Sequence, residues 1–279
     1  MNGLVGEHAL TRSVRDSAAL LDATAGPAPG DPYYAPPPDR PFRDEVSTAP
    51  ARLRIAFTTT APSGVSIHRD CVSAVHAAAK LCSELGHEAI EAAPSIDAER
   101  LVSSFMVLWS VGCAHAMDSA ALLTNRKPTP EQFEELTWAL AEDGRAISGP
   151  RYLLAVNTLQ RISRHIASFF DEYDVWLTPI VAEPPPPLGS FDAQPGKPTL
   201  GIQRALAFVP FTGICNVTGQ PAMSMPLFWN EHGLPVGTHF VARYGEEGTL
   251  FRLAAQLEAA QPWAGRWPER RLKETHISR

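Results

Sequence analysis

The chain has 279 residues, 44 % of them apolar and 19 % charged, with a formal net charge of -6. That composition excludes a disordered or fibrous protein and predicts a folded body with a substantial core. An acidic balance without clustered Lys and Arg also argues against a nucleic-acid partner.

The opening MNGLVGEHALTRSVRD lacks the basic start and apolar run of a secretory signal, and no stretch reaches about 18 uninterrupted apolar residues. A cytoplasmic protein with no membrane partner is expected. The first helix is read over TRSVRDSAALLDATAG, where Ser13 and Asp16 make a capping pattern and Val14, Ala18, Leu21 and Ala25 share one stripe. Gly26 stops it. From Pro27 to Pro50 prolines crowd the chain, which predicts a surface arm and marks residues 27–50 as a candidate internal boundary. LRIAF at 53–57 reads as a buried strand, and a helix carrying Val72, Val75, Ala79, Cys82 and Leu85 follows it. HEAIEA then supplies a second strand, so strand, helix and strand form a parallel crossover unit. That unit makes the fold α/β.

After Pro94 the spacing predicts helices at about 98–123, at 131–142 and from Pro150, the last with Tyr152, Val156, Leu159, Ile162, Ile166 and Phe169 on one face. DVWLTP restores a strand, which the proline-rich VAEPPPPLG ends. A small helix is expected at 201–208, and PFTGICNVTGQPAMSMPLFWN reads as turn residues alternating with short apolar pieces. A strand at 235–242 and the helix EEGTLFRLAAQLEAA close the pattern, with two acids where the helix dipole favours them. The alternation is too irregular for a TIM barrel or a simple doubly wound sheet.

Cys71 and Cys82 share a helix, about 16 Å apart along its axis, too far for a disulfide. The four Cys and nine His contain no CxxC or HxxxH pair, so no metal site and no cofactor is expected, and Cys113 with His115 reads as packing.

Three stretches in order carry a resemblance: ALTRSVRDSAALLDATAG at 9–26, DVWLTPIVAEPPPPLG at 174–189, and NVTGQPAMSMPLFWNEHGLPVGTHFVARYGEEGTLFRLAAQLE at 216–258. Together they resemble the amidase-signature family along nearly the whole chain. The Asp-Pro-Tyr and proline-rich arm, with the Trp-rich PWAGRWPER, is most similar to the branch that includes 6-aminohexanoate cyclic-dimer hydrolases. The resemblance implies a mixed central sheet flanked by helices, with residues 1–279 as the C-terminal portion of one amidase domain. It also implies hydrolysis of a carbon–nitrogen bond in a small amide, by a lysine, a bridging serine and a nucleophilic serine behind a Gly-Gly and Ser-Ser loop. A neutral lysine drawing a proton through the bridging hydroxyl would activate the attacking serine, and backbone N–H groups would hold the oxyanion.

That machinery is not found in the sequence. No two glycines are adjacent, the one Ser-Ser pair, Ser103-Ser104, sits in an apolar helix, and Lys80, Lys127, Lys197 and Lys273 lack the strand-end setting of the family lysine. No catalytic residue is therefore assigned, and the chain alone is expected to be inactive, self-associating or partly disordered. Trp109, Cys113 and Asn216 are the candidate substrate-binding residues. LWSVGCAH is either ordinary helix packing or a wall of the acyl pocket, with Gly112 permitting a close approach. Asn216 and Thr218 either close their own turn or support the nucleophile loop. Three readings remain open: part of an amide hydrolase, a noncatalytic subunit completing a two-chain amidase, or an inactive remnant.

Overall fold

The computed structural model describes residues 3–194 and 196–267. Its helices are α1 (Val14–Thr24), α2 (Phe42–Glu45), α3 (Arg69–Glu84), α4 (Ala98–Thr124), α5 (Glu135–Ala146), α6 (Gly149–Phe169), α7 (Leu200–Phe208), α8 (Thr212–Thr218) and α9 (Glu247–Ala260). The strands β1 (Arg54–Phe57), β2 (Glu88–Glu91), β3 (Val175–Pro179), β4 (Ala222–Trp229) and β5 (Pro235–Ala242) form one sheet in the order β2-β1-β3-β5-β4. β1 runs parallel to β2 and β3, whereas β5 is antiparallel to β3 and β4. The sheet is therefore mixed, as the family resemblance implied.

Because side chains alternate across a strand, the sheet feeds two cores. Ile55, Val175, Leu177, Phe240 and Ala242 point to a layer of α1, α3 and α9, where Val75, Cys82, Leu253 and Leu257 close over them. Ala56, Trp176 and Val241 point the other way, onto Leu108, Leu159, Ile166 and Phe211 of the α4, α6 and α8 layer. β3 is buried at all five positions because helices cover both faces and strands both edges.

Three expectations shift. The helix expected at 131–142 begins at Glu135, because Pro130–Gln132 closes a 3-10 turn first, with the Gln132 side chain accepting from Thr129 N–H at 3.1 Å, and Phe133 and Glu134 then extend. The stretch read as turns and short apolar pieces is α8 followed by an eight-residue strand. Gly219, at φ 71°, supplies the left-handed stop between them, and Pro226 is tolerated beside a register shift on an edge strand. The proline-rich arm is mostly exposed, but α2 docks it. Phe42 packs on Phe251 with ring centroids 5.6 Å apart, Asp22 accepts from Phe42 N–H at 2.6 Å, and the buried Glu45 lies 3.0 Å from Arg40 and 2.5 Å from Arg252.

Other readings hold. Ser13 caps α1 by accepting from Asp16 N–H at 3.1 Å, and Cys71 and Cys82 are buried, unbridged thiols on α3. α4 is long and apolar enough to cross a membrane by length and composition; here it packs along α5 and α6 through Leu108, Ala114 and Met117. Trp263 is buried and donates to Arg12 carbonyl at 2.9 Å. The Trp-rich stretch reaches past Trp267 into residues 268–270, which lie outside the described residues, as does Lys273.

Candidate functional site

The apolar stripe of α4 places Phe105 and Trp109 one turn apart, and their rings stack at 5.5 Å with 22° between planes. Both line a cavity of about 330 Å³ closed by α7 and α8, which contribute Leu206, Ile214 and Asn216. Among the described residues no charged side chain lines it, and its polar side chains are Ser63, Thr212 and Asn216. The surroundings suit an uncharged, largely apolar group with a few hydrogen-bonding points.

Asn216 is shared with a second cavity, of about 620 Å³, between the segment 3–14, β4 and α9. Its side-chain amide donates to Leu4 carbonyl at 2.8 Å, so it also pins the start of the described chain beside α8. Thr218 closes its own turn by accepting from Gln220 N–H at 3.4 Å. Cys113 continues the stripe one turn beyond Trp109 but lines neither cavity. It packs with Phe133 and Trp138 over α5, and burial pushes its thiol above the ordinary range. The close backbone approach to α4 is made by Gly144 of α5, against Ser110. Thus the structure brings Trp109 and Asn216 to one cavity and leaves Cys113 at its helical neighbour.

One cluster was missed in the sequence. His239 on β5 is fully enclosed, with Nδ1 3.0 Å from Thr178 Oγ1 on β3 and Nε2 3.8 Å from Cys215 Sγ on α8. Burial drives His239 down to about 4 and Cys215 up to about 12. At neutral pH both are uncharged, a resting thiol and imidazole rather than a thiolate nucleophile. The Thr178 hydroxyl also lies 3.0 Å from Pro179 carbonyl, so the trio ties β3, β5 and α8 together. The signal was available in THFVA opposite LTP, but only the register Thr178↔His239 puts the two together.

The described lysines stand apart from any serine pair. Lys80 is exposed on α3, 3.7 Å from Glu84, and Lys127 and Lys197 are exposed in loops. Ser103 donates to its own helix at Arg100 carbonyl, and Ser104 is buried. Among the described residues no Lys–Ser–Ser arrangement forms and no cluster of three His, Cys, Asp or Glu could hold a metal ion.

Comparison with known proteins gives this geometry its relatives. The chain is 31 % identical over 276 residues to the 6-aminohexanoate-cyclic-dimer hydrolase of Pseudomonas sp. (strain NK87), a match covering 96 % of this chain and 56 % of that protein. It is 33 % identical over 270 residues to the putative amidase AmiB2 of Mycobacterium tuberculosis (strain ATCC 25618 / H37Rv), covering 95 % of this chain and 54 % of that one. A solved structure of 6-aminohexanoate cyclic dimer hydrolase complexed with substrate superposes at a TM-score of 0.86 and 31 % identity, covering 92 % of this chain and 55 % of that chain. A bacterial aryl acylamidase shares the fold at a TM-score of 0.73 and 17 % identity, covering 92 % of this chain and 55 % of that chain. The chain spans about half the length of the curated relatives it matches. With the Amidase family model matching residues 5–251, the chain belongs to the Amidase family.

Proposed function

We propose that this chain serves an amide hydrolase acting on a linear or cyclic amide of the 6-aminohexanoate-oligomer kind, as the C-terminal part of one amidase domain. Its role is to supply substrate-pocket walls to Lys–Ser–Ser chemistry carried by an N-terminal part. The observation that carries this reading is the match along 96 % of the chain to a cyclic-dimer hydrolase, joined to a cavity without charge beside Trp109 and Asn216. An uncharged amide has no ionic group to leave unpaired in such a cavity, whereas a free carboxylate or ammonium would be costly there. Trp109 and Asn216 are assigned to substrate contact and Cys113 to the adjoining wall. The chemistry uses no metal or organic cofactor, and the cytoplasm is the expected compartment.

The experiment is reconstitution. The stretch of the Pseudomonas relative outside the match is co-expressed with this chain, and release of amine from 6-aminohexanoate cyclic dimer is followed. Hydrolysis by the pair and none by this chain alone is expected. Turnover by a homogeneous preparation of this chain alone would sink the division of labour. A folded but inactive pair would favour an inactive remnant instead.

A further inference from the structure

α7 carries two stripes at helical spacing. Ile202, Ala205 and Leu206, continued by Val209, line the cavity of about 330 Å³. Gly201, Arg204 and Phe208 make the other stripe, which meets the loop that follows β3. There Arg204 pairs with Glu183, and its guanidinium stands over the rings of Phe191 at 5.5 Å and Phe208 at 5.9 Å. The two rings meet edge to face at 5.2 Å. A Cβ at Gly201 would stand 2.3 Å from Phe191 carbonyl oxygen, so glycine is what lets the loop backbone lie this close.

Little else holds the helix. Gly201 is the one buried residue of α7, and among the described residues no other helix or strand packs extensively along it. Its C-terminal end is fixed. Phe208 carbonyl accepts from Ala182 N–H at 2.8 Å, and the chain then bends by 89° into α8 past the fully buried Phe211. The body of α7 is therefore a flap, anchored at that end, over a cavity whose other walls include α4 and α8. An ion pair with both side chains 36 % exposed is a weak, reversible contact, and a cation over an exposed ring adds a comparable amount. Such a latch opens without unfolding what lies beneath it.

We propose that Arg204 is a positioning residue that sets substrate size: with Glu183, Phe191 and Phe208 it latches α7 down, and the latched roof limits the length of uncharged acyl group that the cavity admits. That the cavity receives the substrate rests on the proposed function. A short amide fits beneath the closed roof. A longer one binds only when the latch is open, so its apparent affinity is reduced by the fraction of molecules that are open. Arg204 lies on the stripe away from the cavity and acts through α7, without touching substrate.

The test reads the roof in the dilute full chain and the size preference in the reconstituted pair. Arg204→Gln removes the ion pair and both ring contacts, and speeds amide hydrogen exchange at residues 204–209 by about threefold or more, with α4 and α6 unchanged. Glu183→Gln, which removes the ion pair alone, has a smaller effect, and Arg204→Lys recovers part of the protection. Adding Glu183→Gln to Arg204→Gln changes nothing further, because the two side chains act as one contact. In the pair, Arg204→Gln lowers KM for decanamide relative to hexanamide by about the same factor and leaves kcat within about twofold. Unchanged exchange in Arg204→Gln, or a full further loss in the double variant, overturns the latch. Faster exchange with an unchanged KM ratio overturns the role in size selection. An unsubstituted pair that hydrolyses neither amide counts against the proposed function instead; the affinities of the two amides for the chain itself then decide, and an unchanged ratio between Arg204→Gln and the unsubstituted chain overturns the proposal.

Discussion

Gly144→Ala tests whether the α4–α5 seam is set by one missing methyl group. A Cβ at this position would stand 2.1 Å from Ser110 carbonyl oxygen and 2.5 Å from its carbonyl carbon. Both are backbone atoms, so no rotamer change relieves the overlap. Ordinary contact begins at 3.4 Å, so α5 has to retreat by about 1.3 Å. A gap of about 0.5–1 Å already forfeits a quarter to a half of each dispersion contact, and Ala114, Met117 and Ala141 lie along this seam. Overpacking costs about 1–3 kcal/mol, occasionally more. Helix propensity opposes this by about 1 kcal/mol in favour of alanine. Because both overlapping atoms are backbone the cost falls at the top of that range, and the expected balance is a loss of up to about 2 kcal/mol, or up to roughly 4–8 °C in melting temperature for a chain of this size. Gly213→Ala in α8 is the control: nothing lies within 4 Å of its added Cβ, so it is expected to be neutral or to stabilise by up to about 1 kcal/mol. Thermal melts of the two variants, with hydrogen exchange along α5, make the comparison. A Gly144→Ala chain that melts at or above the unsubstituted one would refute the reasoning.

Three further outcomes are expected. His239 has a folded-state pKa of about 4 against an ordinary 6.5. The unfolded state thus binds more protons between these values, so stability is complete above pH 6.5 and falls as pH drops toward 4, by roughly 3 kcal/mol in all. His239→Gln should flatten that slope in denaturant unfolding at pH 7 and pH 4.5, and an unchanged slope would contradict it. Glu45→Ala takes the shared carboxylate from the half-exposed Arg40 and the partly buried Arg252 and should cost about 1–3 kcal/mol; faster proteolytic cutting at residues 27–41 is the readout, and an uncut arm counts against it. In the reconstituted enzyme, Trp109→Ala should raise KM by about tenfold, with Cys113→Ala smaller, while both melts shift little; unchanged KM in both would return α4 to plain core.

The α/β class and most of the elements were legible because periodicity acts locally: α3, α6 and α9 show an apolar stripe in the sequence, and β1 and β3 are short apolar runs between stops. β4 and α8 were not, because Pro226, Gly219 and Gly213 read as turn residues when taken one at a time, whereas Gly213 lies inside α8, Gly219 ends it, and only pairing with β5 shows that the strand extends through Pro226. The start of α5 depended on a local competition that Pro130 wins for three residues. Trp109 and Asn216 could be suspected from helix spacing and a motif, yet their meeting at one cavity comes from α7 and α8 folding back over α4. His239 was invisible for a similar reason: its partners lie 61 and 24 positions away, and no spacing rule links three different elements.

The parallel pairing of β1 with β3 sets a timetable for synthesis. β1, α3 and β2 close over fewer than forty residues and can assemble as soon as they emerge, but Ile55 pairs with Val175. At about 5–20 residues per second, β1 waits roughly 6–24 s for its second neighbour. During that interval one edge of a strand with fully buried Ile55 and Ala56 is open, and contacts of such long range close slowly. α4, α5 and α6, made in between, fold on local contacts and reach the ribosome exit before the strand they must cover. The nascent chain is therefore most vulnerable to chaperone capture or wrong pairing between the emergence of Phe57 and that of Pro179, and a ribosome stalled inside that window would hold a two-stranded sheet still lacking its centre.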